Sequence, residues 1–350
     1  MRLLVIVLII VGLFVAVSYV SDNVAWFVDQ VREFAGHNPV TGDGGETNDV
    51  TYLEDLTYVP ATSDINDSNL MITLYFSDEN ANWLVPVTRS IPKTQSIIRQ
   101  TLTELFLGPD SATGLIASVP GLSLRDLNLR TDGTLRIDLP ATAPAATSTW
   151  GSSGSMLAMN SILYTVGQYQ KVTEVEFLAG GKTAGSLFHG VDTSAPVLVP
   201  RLRSTGNRVV VYLSYIASST GRAYLVPLPL EVESDDMQRR ISTAVSYLIS
   251  GASKNGFSLE PTIPDDVQLV GVDVMNKKCY LNFDEGLLTA YADDPDRQAL
   301  MIDSLVFTVT SFPEVDMVQF LVDGKVRNEA FGPINLGDPI SRPKWINPER

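Results

Sequence analysis

"EFLAGGKT", residues 176–183, and "QFLVDGKV", residues 319–326, are the two stretches from which the fold is read. Alone, the first suggests a phosphate loop, because an apolar strand runs into Gly-Gly-Lys-Thr. Such a loop needs a glycine separated by four residues from the Gly-Lys pair, so that successive backbone N–H groups can wrap the anion. That position is Glu176. The second stretch lies 143 positions further on and has neither the glycine pair nor the threonine. Gly180-Gly181 and Asp323-Gly324 therefore read as two-residue hairpin turns, where positive φ suits Gly and Asp. Gly181 and Gly324 are structural in this reading, and Lys182 and Lys325 are incidental.

Working outward from this pair, the repeat continues in both directions. "LYFSDENANWLVP" (74–86) answers to "VYLSYIASSTGRAYLVP" (211–227), which has four more residues, assigned here to its loop. Both read as hairpins. Ile98, Leu102, Leu105 and Phe106 fall at helical spacing, as do Met237, Ile241, Ala244, Val245, Leu248 and Ile249. Gly108 and Gly251 follow, where a left-handed C-cap is expected. Leu135, Ile137 and Leu139 alternate on one strand; Cys279, Leu281 and Phe283 match them at an offset of 144. Met159, Ile162, Leu163 and Val166 form a helical stripe matched by Ile302, Leu305, Val306 and Val309. Each copy is thus β-β-α-β-β-α-β, giving an α+β fold of two tandem mixed sheets packed with helices. The expected boundaries are 70–191 and 208–335, with a linker at 192–207 and an extended or loosely docked tail at 336–350.

The 350-residue length also favours two domains, and 45% hydrophobic against 19% charged residues describes a packed chain. A net charge of −15 opposes a nucleic-acid partner, since a phosphate backbone requires cations. Residues 3–20 carry no charge and, at roughly 1.5 Å per residue, are long enough as a helix to cross a bilayer. Arg2 precedes this run and Asp22, Asp29 and Glu33 follow it, so residues 1–21 read as a signal anchor with the rest of the chain outside the cell membrane. The other reading is a cleaved signal peptide at Ala16-Val17-Ser18, which would release a secreted protein. Residues 22–69 then form a membrane-proximal segment and a flexible tether.

Little catalytic chemistry is visible. Cys279 is the single cysteine, so no intrachain disulfide forms, and its place in the alternation makes it a core thiol. His37 and His189 read as surface residues. "DDPDR" (293–297) lacks the glycine and closing glutamate of a calcium loop and reads as a solvated lead into a helix. No catalytic residue, cofactor or metal site is expected. Two residues stand out as partner-facing: Trp150, in the small-residue loop "TAPAATSTWGSSGS" (142–155), and Arg89, which becomes Leu230 in the second copy. Arg89 equally suits an ion pair, and Trp150 equally suits packing on its own domain.

"WLVPVTRSIP", a helix ending in "LFLGP", then "SVPGLSL", "LRIDLP" and "VFTVTSFPEVDMVQFLVDGK" (306–325) resemble the GerMN domain of bacterial sporulation and spore germination proteins. The resemblance covers about 70–190 and 209–333, in a tandem arrangement. It implies a fold similar to the ring-building modules of secretion systems and a non-enzymatic role in the envelope of a spore former. There the chain would be a scaffold or assembly component alongside sporulation-channel proteins, with oligomerisation among the options. It offers no catalytic residues to carry over. The chain departs from lipoprotein-like members in having no cysteine near its apolar segment. The alternative reading is an extracytoplasmic ligand-binding module, for a wall glycan or as the sensing accessory of a membrane kinase, with a groove between the repeats lined by Trp150, Tyr215 or Trp83.

Overall fold

The structure, a computed structural model, describes residues 56–58, 69–254 and 257–349. The apolar run at 3–20, His37 and most of the expected tether lie outside the described residues. Among the described residues, no helix is long and apolar enough to cross a membrane.

The first copy runs β1 (Leu70–Ser77), β2 (Leu84–Ile91), α1 (Ile97–Leu107), β3 (Asp126–Leu129), β4 (Thr134–Leu139), α2 (Ser152–Gly167) and β5 (Glu174–Ala179). The second runs β6 (Arg208–Ile216), β7 (Ala223–Glu231), α3 (Met237–Ser250), β8 (Leu269–Met275), β9 (Lys278–Phe283), α4 (Pro295–Val309) and β10 (Met317–Val322). Each copy therefore has an antiparallel hairpin, a separate mixed sheet, and two helices packed between them. Within the sheets, β4 pairs parallel with β5 and β9 with β10, because α2 and α4 provide the crossovers that parallel strands need. Leu135 faces Val175 and Cys279 faces Val318, so the register is the same in both copies. The alternating apolar residues of all these strands meet in one core that runs through both copies.

Several expectations are corrected. The four additional residues of the second hairpin do not lengthen its loop. Pro86 pairs with Tyr75 and Pro227 with Tyr212, and six residues close each hairpin; the insertion adds the rungs Tyr215↔Tyr224 and Ile216↔Ala223. Tyrosine and β-branched residues fit a pleated, half-buried surface, so the extra length joins the ladder. Gly108 (φ 90°, ψ −177°) and Gly251 (φ 70°, ψ −172°) do end their helices at positive φ, but with extended ψ, a region even more restricted to glycine than the left-handed one. The small-residue stretch 142–155 is mostly helical: Ala143–Thr147 forms a short helix with Pro144 in its first turn, and α2 begins at Ser152.

The last correction concerns the boundaries. Val197–Leu198, in the expected linker, pairs with Val175 and Glu174 at the edge of β5. Ile340–Ser341, in the expected tail, pairs with Val318 and Met317 at the edge of β10. The two additions are equivalent, so the repeat extends past both expected ends. Leu56–Tyr58 also depart from a tether: Thr57 bridges to Arg222, and the fully buried Tyr58 donates through its hydroxyl to Asp303 at 3.0 Å.

Candidate functional site

Polar side chains on and just past the second helix of each copy complete the outer edge of its hairpin. Ser161 and Thr165 lie on α2 and Gln168 is its C-cap residue; Ser304 and Thr308 lie on α4 and Ser311 just past its end. Ser161 Oγ donates to Tyr75 O at 2.7 Å, Tyr75 N–H donates to Thr165 Oγ1 at 3.1 Å, and Gln168 both accepts from Thr73 N–H at 3.0 Å and donates to Thr73 O at 2.8 Å. The second copy repeats the device. Ser304 Oγ donates to Tyr212 O at 2.6 Å, Tyr212 N–H donates to Thr308 Oγ1 at 3.0 Å, and Ser311 Oγ donates to Val210 O at 3.3 Å. An edge strand buried under a helix would otherwise strand its backbone groups.

This device seats matching aromatic pairs. Tyr75 packs on Tyr164 with ring centroids 5.3 Å apart, and Tyr212 stacks on Phe307 at 5.3 Å. Both pairs lie on one cleft of about 460 Å³ between the copies. Its remaining walls are also equivalent: Pro200-Arg201 follows the added strand of the first copy, and Pro343-Lys344 follows that of the second. Burial, with Tyr212 and Tyr164 nearby, pushes the Tyr75 phenol well above the usual tyrosine range; burial takes Tyr164 to about 12. Both are neutral hydroxyls at physiological pH. Four cations line the cleft, Arg201, Arg203, Arg342 and Lys344, and among the described residues no carboxylate does. Arg201 covers the end of α2, donating to Gly167 O and to Val172 O. Arg342 lies over the Phe307 ring at 4.7 Å and donates to Phe307 O at 2.8 Å and Tyr212 Oη at 2.9 Å.

Beside the cleft, residues 346–349 are inserted between the two hairpins. Thr88 N–H donates to Asn347 O at 3.1 Å, Glu349 N–H donates to Thr88 O at 2.8 Å, and Thr88 Oγ1 donates to Ile346 O at 2.6 Å. The Asn347 side chain donates to Pro86 O at 2.7 Å and Leu225 O at 2.8 Å, and accepts from Leu225 N–H at 2.9 Å. One amide thus joins β2 to β7. The hairpin loops meet as well, with Glu79 accepting from the backbone N–H groups of Ser218 and Ser219.

The residues singled out from sequence scatter over the molecule. The Arg89 guanidinium is largely buried, bonded to both Glu349 oxygens at 2.8 and 3.0 Å and to Glu104 at 3.1 Å, so it serves the ion-pair role. Trp150 is half-buried and packs against the core. Trp83 and Tyr215 are buried on the inward faces of their hairpins, so the groove expected around Trp150, Tyr215 and Trp83 is replaced by the one around Tyr75 and Tyr212. Gly181 (φ 82°) accompanies Gly180 in a two-residue turn, its N–H donating to Asp138 at 2.9 Å; Gly324 (φ 74°) accompanies Asp323, its N–H donating to Asn282 at 2.7 Å. Lys182 and Lys325 are exposed. Cys279 is buried, and that burial, with Asp273 adding to it, lifts its thiol to about 12, so thiolate chemistry is unfavourable. His189 is exposed. Asp294 caps α4 by accepting from Arg297 N–H at 3.0 Å. Among the described residues, no group of His, Cys, Asp or Glu is placed to hold a metal ion. The cleft presents rings, amides and cations, a set suited to binding.

Sequence reasoning missed the cleft, although signals existed. Ser161/Ser304 and Thr165/Thr308 recur at the offset of 143, as does the spacing Pro196…Pro200-Arg201 in Pro339…Pro343-Lys344.

The model of a known family, Germane, described as sporulation and spore germination, matches residues 73–185 and 211–328. Spore germination protein GerM of Bacillus subtilis (strain 168) is 23% identical over 348 residues, covering 93% of this chain and 92% of that protein. The solved tandem GerMN domains of the sporulation protein GerM from Bacillus subtilis align with a TM-score of 0.60 at 20% identity, covering 81% of this chain and 100% of that one. The shared fold is the tandem α+β arrangement described above.

Proposed function

The chain belongs to the Germane family of sporulation and spore germination proteins, and from that premise we propose that it is a non-enzymatic scaffold of the cell envelope in spore formation or germination. In this reading the apolar run at 3–20 holds it at the membrane, and the tandem modules stand outside as a docking body for other envelope proteins. The observation that carries the reading is the seam. Asn347 and Glu79 join the hairpins into one unit, Glu349 ties the C-terminal segment to the first of them, and these polar groups are used as structural ties.

The modules turn equivalent elements toward each other, loop to loop and aromatic pair to aromatic pair. Contacts of that kind close upon themselves, so partners would engage other surfaces. Strand β8 lies at the end of its sheet with Val270 61% and Met275 54% exposed, and we assign the partner surface to it. Trp150 is a second contact, whereas Arg89 is already occupied.

Photo-crosslinking side chains at positions 270 and 275, activated in sporulating cells, test this. Recovery of a defined envelope protein, together with loss of heat-resistant spores or of germination on gene deletion, is the expected outcome. A protein that captures no envelope partner and whose deletion leaves both processes intact would overturn the scaffold role.

A further inference from the structure

We infer that the cleft between the modules is a binding site for a saccharide bearing carboxylate groups. The inference rests on the cleft alone and does not depend on the scaffold role. The protein carries a net charge of −15, yet the cleft gathers four cations and, among the described residues, no acid. Two of these cations have structural tasks: Arg201 covers carbonyls at the end of α2, and Arg342 is spread over Phe307. Arg203 and Lys344 are exposed, and neither has a carboxylate within ion-pair distance among the described residues. Lys344 lies over the Trp345 ring at 4.7 Å and stays exposed, so both cations can still meet an anion.

The rest of the cleft selects which anion. The half-buried Tyr75 and Tyr164 rings, tilted 39° to each other, present an aromatic wall on which the C–H face of a sugar ring can pack. Gln170 is exposed at the rim and offers both a donor and an acceptor to hydroxyl groups. The C-terminal end of α2, at Gly167, borders the same space; its partial negative charge, met in part by Arg201, disfavours a compact dianion more than the single charge of a carboxylate and tolerates hydroxyl donors. Rings, hydroxyl partners and two cations with no carboxylate partner among the described residues together describe a polyhydroxyl ligand with carboxylates. A nucleotide or free phosphate would bring a denser charge than a carboxylate to that helix end.

Isothermal titration of the purified full-length chain tests the assignment with four probes: tetragalacturonate, chitotetraose, a tetraglutamate peptide and inorganic phosphate. Tetragalacturonate is expected to bind with an affinity that falls as salt rises, and uncharged chitotetraose to bind about tenfold more weakly or not at all. The double substitution Arg203→Ala, Lys344→Ala should weaken tetragalacturonate about tenfold without moving the melting temperature, since both side chains are exposed. Lys182→Ala, an exposed lysine outside the cleft, should change nothing. The site is refuted by absent tetragalacturonate binding, by equal binding of chitotetraose, by tighter binding of tetraglutamate or phosphate, or by unaltered binding in the double variant.

Discussion

Arg89 shows how a residue that stands out in the sequence can be absorbed by the fold. Leu230 replaces it in the second copy, which suggests a binding role confined to one module. In the structure its guanidinium reaches both oxygens of Glu349, Glu104 and the Gly108 carbonyl, and lies over Phe76. A fork of fixed donors suits this set, and a lysine does not reproduce it. Removing the fork leaves two carboxylates facing each other with little water. Arg89→Ala should therefore cost about 2–3 kcal/mol, below the range for a fully buried pair because the group keeps some solvent contact; urea unfolding measures it. Arg89→Lys should recover less than half of the loss. The sequence could not show the ion pair, because Glu349 lies in a tail whose prolines and charges read as extended or loosely docked.

At the scale of elements, two glycines separate local conformation from packing. Gly324 has φ 74° and open space around a hypothetical Cβ, so Gly324→Ala should cost only the left-handed penalty, about 1 kcal/mol. Gly251 combines φ 70° and ψ −172° with Leu259 O only 2.9 Å from that Cβ, so Gly251→Ala should cost about 3 kcal/mol. Denaturation midpoints of the two variants give the comparison; equal losses would show that packing at Gly251 yields freely. The second device is the buried Thr308 hydroxyl, which accepts from Tyr212 N–H. Thr308→Val keeps the shape and removes the acceptor, so a loss of about 1–3 kcal/mol is expected in calorimetry. Hairpins, helices and turns were legible because periodicity and the 143-residue offset record burial directly. The last strand of each copy was not. Val197–Leu198 and Ile340–Ser341 pair over only two residues each, between prolines, and such short pairings leave no alternation to read. The cleft escaped for a related reason: Ser161 and Thr165 interrupt an apolar stripe, and their partners lie on a strand some ninety positions earlier.

The molecule as a whole is held along its seam, and two expectations belong there. Asn347 adopts φ 46°, a conformation asparagine tolerates, and spans both hairpins with three hydrogen bonds. Asn347→Ala leaves Leu225 N–H and O without that partner, so a loss of about 2–4 kcal/mol in urea unfolding is expected; a loss near zero would show that the hairpins hold each other without it. The seam is also rich in phenols that burial keeps protonated, with Tyr164 and Tyr215 at about 12 and Tyr58 raised by burial and by Asp303. Such groups ionise first in the unfolded chain, near the ordinary tyrosine value of about 10. Their contribution is complete below that pH and declines as pH rises through the folded values near 12. Urea midpoints should accordingly be level up to pH ~10 and fall steeply above it; a flat profile to pH ~12 would contradict the buried placement. The inserted segment at 346–349 has a consequence in time. Thr88 waits for a partner that the ribosome adds 258 residues later. Until then the first module carries an uncovered strand edge, the feature most prone to pair with a neighbouring nascent chain. Its fate during synthesis therefore depends on whatever shields that edge, a dependence that a chain shortened before residue 346 would carry for its whole lifetime.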